Sequence, residues 1–186
     1  MSESVKSIAV IYGGTRDEGN TEMLAEQAVA GLAVERIYLR DYRIRAIEDR
    51  RHAPGGFREV DDDYNAIIDR VLPHDVLVFA TPIYWYGMTG VMKNFVDRWS
   101  QTLRDADRPQ FRGRMRAKTA YVIAVGGDEP RLKGLPLVKQ FQHIFEFFGM
   151  KYGGYILGEA NQPGEIAGDK IACYQAQRLR AELHER

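Results

Sequence analysis

Residues 8–21 read Ile8-Ala9-Val10-Ile11-Tyr12-Gly13-Gly14-Thr15-Arg16-Asp17-Glu18-Gly19-Asn20-Thr21. The first five form an unbroken apolar run, as in a parallel strand buried on both faces. The next nine are polar and glycine-bearing, and beyond them Met23, Leu24, Ala28 and Leu32 recur at helical spacing. A buried strand thus feeds a turn that opens a helix. The first N–H groups of such a helix lack carbonyl partners and the helix dipole adds partial positive charge, so the turn favours an anion, most often a phosphate. Thr15 and Thr21 bring hydroxyl donors, Arg16 brings a charge-assisted bond, and Asn20 reads as the N-cap.

Two familiar phosphate loops fail here. Gly14 and Gly19 have Walker A spacing with Thr21 at its end, but Asn20 stands where that loop needs lysine. The dinucleotide spacing G-x-G-x-x-G is absent. What remains suits a terminal phosphate monoester, with a plain strand-to-helix turn as the alternative.

Outward from this stretch, strand and helix patterns alternate. Further strands are expected at residues 34–39, 75–80, 118–125 and 152–157. A helix begins at Asp61-Asp62-Asp63 and carries Tyr64, Ile67, Ile68, Val71 and Leu72; another holds Val91, Phe95, Val96 and Trp99. A third runs from Leu137 to Phe148 and stops at Gly149, and a last one sets Ile171, Tyr174, Leu179 and Leu183 against the sheet. Residues 41–60 form a long Arg-rich connection, and residues 107–116 a polar one. The pattern predicts one α/β domain over residues 1–186, a parallel sheet with helices on both faces. Ligands of such sheets sit outside the C-terminal strand ends, where strand order reverses. Three loops leave the ends of strands one, three and four: residues 13–21, 81–90 and 126–130. They are expected to meet at one edge.

The second loop carries Thr81-Pro82-Ile83-Tyr84-Trp85-Tyr86-Gly87. Pro82, Gly87 and Gly90 keep its backbone tight, while its aromatic faces and backbone polar groups suit a flat heteroaromatic ring. A phosphate at loop one and a ring at loop two describe a mononucleotide. The aromatic residues also read as a core cap or as part of a subunit interface.

Composition excludes several function classes. Lys+Arg and Asp+Glu are 26 each among 186 residues, which gives no field for nucleic acid or a membrane surface. The one cysteine, Cys173, allows neither an internal disulfide nor a cysteine metal cluster, and reads as a half-buried residue of the last helix. No signal peptide or membrane-length apolar run is present, so a soluble cytoplasmic protein is expected. His52, His74, His143 and His184 lack a Ser or Cys partner at readable spacing, which argues against hydrolase chemistry.

Taken together, residues 13–21 and the run Thr81–Trp99 resemble the NADPH-dependent FMN reductase family of flavodoxin-like flavoproteins, in its iron–sulfur-flavoprotein-like branch. The resemblance covers nearly the whole chain. It implies a five-stranded flavodoxin-like sheet of order 2-1-3-4-5, bound FMN, and a homodimer or homotetramer with the ring near the interface. By position, Thr15, Arg16, Asn20 and Thr21 would hold the FMN phosphate. Pro82, Ile83, Tyr84, Trp85, Tyr86 and Gly87 would border the ring, with Gly127 and Asp128 approaching it from the third loop. The iron–sulfur branch carries cysteines in the connection before the third strand; residues 42–61 have none, so no cluster and no other metal is expected here. The implied activity passes electrons from NADPH or NADH through FMN to a quinone, nitroaromatic, free flavin or metal ion, with no protein acid–base group assigned. Two rivals are a flavodoxin-type electron carrier and a non-catalytic module that kept the phosphate loop.

Overall fold

The computed structural model describes residues 6–185. Its five strands are β1 (Ile8–Tyr12), β2 (Val34–Tyr38), β3 (Val76–Pro82), β4 (Thr119–Gly126) and β5 (Lys151–Glu159). They form a single parallel sheet of order β2-β1-β3-β4-β5, the flavodoxin-like order expected from sequence. The helices are α1 (Asn20–Val29), α2 (Tyr64–Val71), α3 (Gly90–Asp97), α4 (Trp99–Thr102), α5 (Phe111–Arg116), α6 (Pro130–Lys133), α7 (Leu135–Phe148) and α8 (Lys170–His184). No described helix is long and apolar enough to cross a membrane.

Alternate residues of the central strands feed two cores. Ile8, Val10, Val76, Val78, Ile123 and Val125 pack with Leu24 and Ala28 of α1 and with Ala172, Ala176, Leu179 and Leu183 of α8. Ala9, Ile11, Leu77, Phe79, Val122 and Ala124 point the other way, toward α2, α3, α4, α5 and α7. Phe79 is the aromatic hub there, within 5.4 Å of both Phe141 and Phe145. Gly149 takes a left-handed φ of 70° and ends α7, as its sequence position predicts.

Two local expectations are corrected. Residues 107–116 are not all loop: α5 forms because Phe111 and Met115, one turn apart, both bury, and Phe111 meets Trp99 and Phe148. Helix α8 does not seat Ile171 and Tyr174, each 58% exposed, but the small residues Ala172 and Ala176. Close packing of α8 on α1 leaves room for alanines and not for larger side chains. Cys173 is half-buried, its Sγ directed at the Ile166 carbonyl.

The acidic triplet opens α2 as expected, with Asp62 accepting from the Tyr64 N–H at 3.2 Å, but its carboxylates also serve another segment. Asp63 accepts from Arg43 N–H at 2.7 Å, and Asp62 from Arg45 N–H at 2.9 Å. Asp62 also pairs with Arg98 at 2.5 Å, each side chain only 1% exposed. Arg98 in turn donates to the Arg45 carbonyl and to Gln101, and lies over the Tyr64 ring. The long Arg-rich connection is therefore clamped at its neck.

Burial alone would push the Asp62 carboxyl up, but hydrogen bonds from Arg98 and the Arg45 N–H, with the Arg98 charge, hold it below the usual carboxylate range. A carboxyl depressed by folding stabilises fully above its unfolded pKa, about 3.9, and loses that contribution as pH falls through the folded value. At neutral pH, Asp62→Asn leaves Arg98 buried without its charge partner and lowers stability by about 3–5 kcal/mol. Urea titrations are expected to show the gap between wild type and variant closing as pH drops below about 4.

Candidate functional site

Register places the loops. The parallel ladder sets Tyr12 beside both Tyr38 and Ala80, and Pro82 beside Val125. It continues one residue beyond the strands: Gly13 N–H donates to Ala80 O at 2.8 Å, Ile83 N–H to Val125 O at 2.8 Å, and Ala160 N–H to Gly126 O at 3.0 Å. Loops one, two and three, plus the loop after β5, are thus stitched along one edge. Thr89 caps α3 and its hydroxyl donates to Gly13 O at 2.7 Å, binding loop one to the start of α3. A Cβ on Gly13 would meet Met92 Cβ at 3.0 Å, so this close approach needs glycine.

Loop one presents donors. Among the described residues, the backbone N–H groups of residues 14–18 and 20–22 donate to no protein acceptor. Gly19, in extended conformation, precedes α1 without a side-chain cap. Asn20 is therefore not the N-cap. It is the first helical residue, its side chain is buried, and it reaches across to the loop after β5. Its amide donates to Gln162 O at 2.8 Å, and its Oδ1 accepts from Gly164 N–H at 2.9 Å. Its side-chain polar groups are thus spent on positioning, while its backbone N–H stays with the open set. Thr21 is buried at the mouth of α1, and Arg16 forms no ion pair among the described residues. Thr15 Oγ1 lies 3.3 Å from Tyr84 Oη, joining loops one and two.

Loop two is tighter than its glycines suggest. Tyr84 and Gly87 exchange two backbone hydrogen bonds of 3.0 Å around Trp85 and Tyr86. Both central residues have positive φ, 49° and 63°, the signature of a type I′ turn that Asn-Gly usually fills. The left-handed backbone falls on two aromatic residues rather than on Gly87 or Gly90. Trp85 stands 94% exposed. Tyr86 Oη donates to Asp128 at 2.9 Å, and Asp128 also takes Lys133 Nζ at 2.6 Å. Lys133 and the Tyr86 hydroxyl hold the Asp128 carboxyl below its ordinary value, and Asp128 raises that of Tyr86.

A cavity of about 220 Å³ opens between these loops. Thr15, Arg16, Asn20 and Thr21 line one end, and Pro82, Ile83, Tyr84 and Gly127 the other. Trp85, Tyr86 and Asp128 line a smaller neighbouring hollow that shares Ile83, Gly126 and Gly127 with it. Gly87 lines neither and only closes the turn. Sequence reasoning missed Tyr12, Glu22, Arg40, Gly126, Ala160 and Asn161, all in the main cavity wall. Arg40 and Asn161 follow the C-terminal ends of β2 and β5, so the strand-end rule applied to every strand finds them. The donor set at one end suits a phosphate, and the backbone-lined slot at the other suits a flat ring. Among the described residues no three His, Cys, Asp or Glu side chains converge as metal ligands.

The sequence pattern of the NADPH-dependent FMN reductase family matches residues 7–160. A Bacillus subtilis (strain 168) protein named as an NAD(P)H-dependent FMN-containing oxidoreductase is 60% identical over 172 residues, covering 92% of this chain and 95% of that protein. An iron–sulfur flavoprotein of Methanocaldococcus jannaschii is 25% identical over 188 residues, covering 91% of each. The solved structure of the Trp repressor binding protein from Bacillus subtilis superposes with a TM-score of 0.80 at 52% identity, covering 93% of this chain and 97% of that one.

The turn geometry is open to direct test. Replacing Trp85 with Asn and Tyr86 with Gly removes two strained aromatic positions and installs the residues a type I′ turn prefers. The flavin-free double variant is expected to gain about 1 kcal/mol in chemical denaturation; a loss would show that packing of the two rings outweighs the backbone strain.

Proposed function

The chain belongs to the NADPH-dependent FMN reductase family, and on that premise we propose that its loop-edge cavity holds FMN and that it passes electrons from NADPH or NADH to a small acceptor. The observation that carries this reading is the single cavity with two chemically distinct ends. One end is a helix N-terminus with unpaired N–H groups, two hydroxyls and Arg16. The other is lined by Pro82, Ile83, Tyr84, Gly126 and Gly127.

Bound FMN supplies the chemistry, accepting hydride from the nicotinamide and releasing electrons to a quinone, nitroaromatic, free flavin or metal ion. The chain's own contribution is placement. The free N–H groups of loop one and the first turn of α1, with Thr15, Arg16 and Thr21, take the phosphate oxygens. Asn20 fixes the loop after β5 so that Asn161 closes the far wall. Ile83 packs directly on Gly126, where an added Cβ would meet Ile83 Cβ at 3.1 Å, so the two form one continuous stretch of wall. Tyr86, Asp128 and Lys133 hold loop two to loop three at the open side.

A flavodoxin-type carrier would bind the same cofactor and dock on protein partners. Carriers of that kind use a strongly acidic surface for docking, and the balance of 26 cationic and 26 anionic side chains gives no such field. Tyr84, Trp85 and Tyr86 are exposed at the cavity mouth, which supports a homodimer or homotetramer closing over it.

The purified protein is expected to be yellow, or to take up added FMN, and to bleach with NADPH or NADH under anaerobic conditions. Colour lost only to a reduced protein partner would replace the enzyme with the carrier. Arg16→Ala with Thr21→Ala is expected to weaken FMN binding by about 2–4 kcal/mol, since a charge-assisted bond contributes about 1.5–3 kcal/mol and a neutral one about 1. Unchanged retention on dialysis would remove the phosphate from loop one.

A further inference from the structure

Arg40 lies in the 3₁₀ turn Leu39–Asp41 that follows β2, and its side chain is only 17% exposed. It lines the cavity beside Gly14, Thr15, Arg16 and Thr21. Its guanidinium rests 4.4 Å from the centre of the Tyr38 ring, and Tyr38 stacks on Tyr12 at 4.5 Å. That stack of two rings and a guanidinium seats Arg40 at the phosphate end of the cavity before any ligand arrives.

Three carboxylates already face the guanidinium, Asp41 at 3.9 Å from Nε and two closer. Asp17 of loop one sits 2.5 Å from Nη2, and Glu22 in the first turn of α1 sits 3.0 Å from Nη1. They differ in surroundings: the Asp17 side chain is 86% exposed, whereas that of Glu22 is 17% exposed. Asp17 can be released to water with little loss, because an exposed partner contributes little. Glu22 stays and keeps the guanidinium oriented.

Arg16 and Arg40 supply two positive charges at this end against Asp17, Glu22 and Asp41. A phosphate monoester brings roughly −1.5 to −2 at neutral pH against the single charge of the Asp17 carboxylate, so it is the stronger partner for Nη2. Resting on the reading that this cavity takes FMN, we propose that Arg40 is the residue that selects the phosphorylated flavin and that Asp17 is its built-in competitor. Asp17 occupies Nη2 of Arg40 in the flavin-free protein, and the phosphate displaces it.

Flavin-stripped protein titrated with FMN and, separately, with riboflavin tests this through quenching of flavin fluorescence. Asp17→Asn is expected to tighten FMN about two- to fivefold and leave riboflavin unchanged. Arg40→Met is expected to weaken FMN about ten- to hundredfold, again sparing riboflavin, and to abolish the gain from Asp17→Asn when the two are combined. If Arg40→Met does not fold, Arg40→Lys takes its place, keeping the charge but losing the bidentate edge. An Asp17→Asn protein with unchanged or weaker FMN affinity overturns the proposal. So does an Arg40 variant that weakens both flavins alike, which would make Arg40 merely structural. A wild type that binds riboflavin as tightly as FMN overturns the proposal and leaves the flavin site standing, whereas one that binds neither flavin overturns both.

Discussion

The constraint on which the site depends is the parallel register of the sheet. Strands β1, β3 and β4 pair so that their C-terminal ends come to one level, and ladder hydrogen bonds from Gly13, Ile83 and Ala160 carry the pairing into the loops. None of those loops has a core of its own. Each inherits position from the strand before it, and a shift of one residue in any pair would turn a lining side chain away from the cavity. The apolar runs of the strands therefore act on function at one remove, by fixing where loops of unrelated sequence begin.

Rigid placement lets the loops hold unfavourable conformations. Among the described residues four non-glycine residues have positive φ, and all lie at this edge: Glu18 in loop one, Trp85 and Tyr86 in loop two, Glu129 in loop three. Each such conformation costs about 1–3 kcal/mol and persists only when its surroundings determine it. Thr89 grips loop one, Asp128 and Lys133 grip loop two, and Glu129 starts α6. Unpaired N–H groups in loop one are a second local cost. Strain and open donors collected at one end of the sheet, against a core such as that around Phe79, are the pattern of a site built at the expense of local stability.

The sequence made the framework legible because buried parallel strands have few alternatives. Ile8–Tyr12 and Val76–Ala80 are continuous apolar runs, and their pairing order follows from the family pattern. Side chains that serve two elements at once were harder to read. Asn20 looks like an N-cap because a cap and a long-range anchor use the same amide, and only the return of residues 162–166 separates them. Asp62 and Asp63 open α2, but nothing local shows that Arg43, Arg45 and Arg98 will be brought to them from elsewhere in the chain. In α8 the larger side chains Ile171 and Tyr174 look like the core-facing positions, yet packing against α1 favours the smaller alanine stripe. The Trp85-Tyr86 turn carries no turn signature at all, since its geometry is imposed by the ends that hold it.

The two arginine-centred clusters show how one chemistry is used in opposite ways. Arg98 is sealed with Asp62 where neither side chain meets water, and it accepts hydrogen-bonding partners from three segments, so removing one member strands the other. Such a pair contributes to specifying a single arrangement of the long connection more than to net stability. Arg40 is also largely covered, but one of its carboxylate partners, Asp17, lies almost wholly in solvent. That asymmetry makes its pairing exchangeable: the guanidinium can change partners without leaving its seat on Tyr38. Hydration of the partner alone does not mark a site, since Arg50 is equally covered and faces a mostly exposed Glu48; what sets Arg40 apart is that its exchangeable pair also lies in the cavity wall.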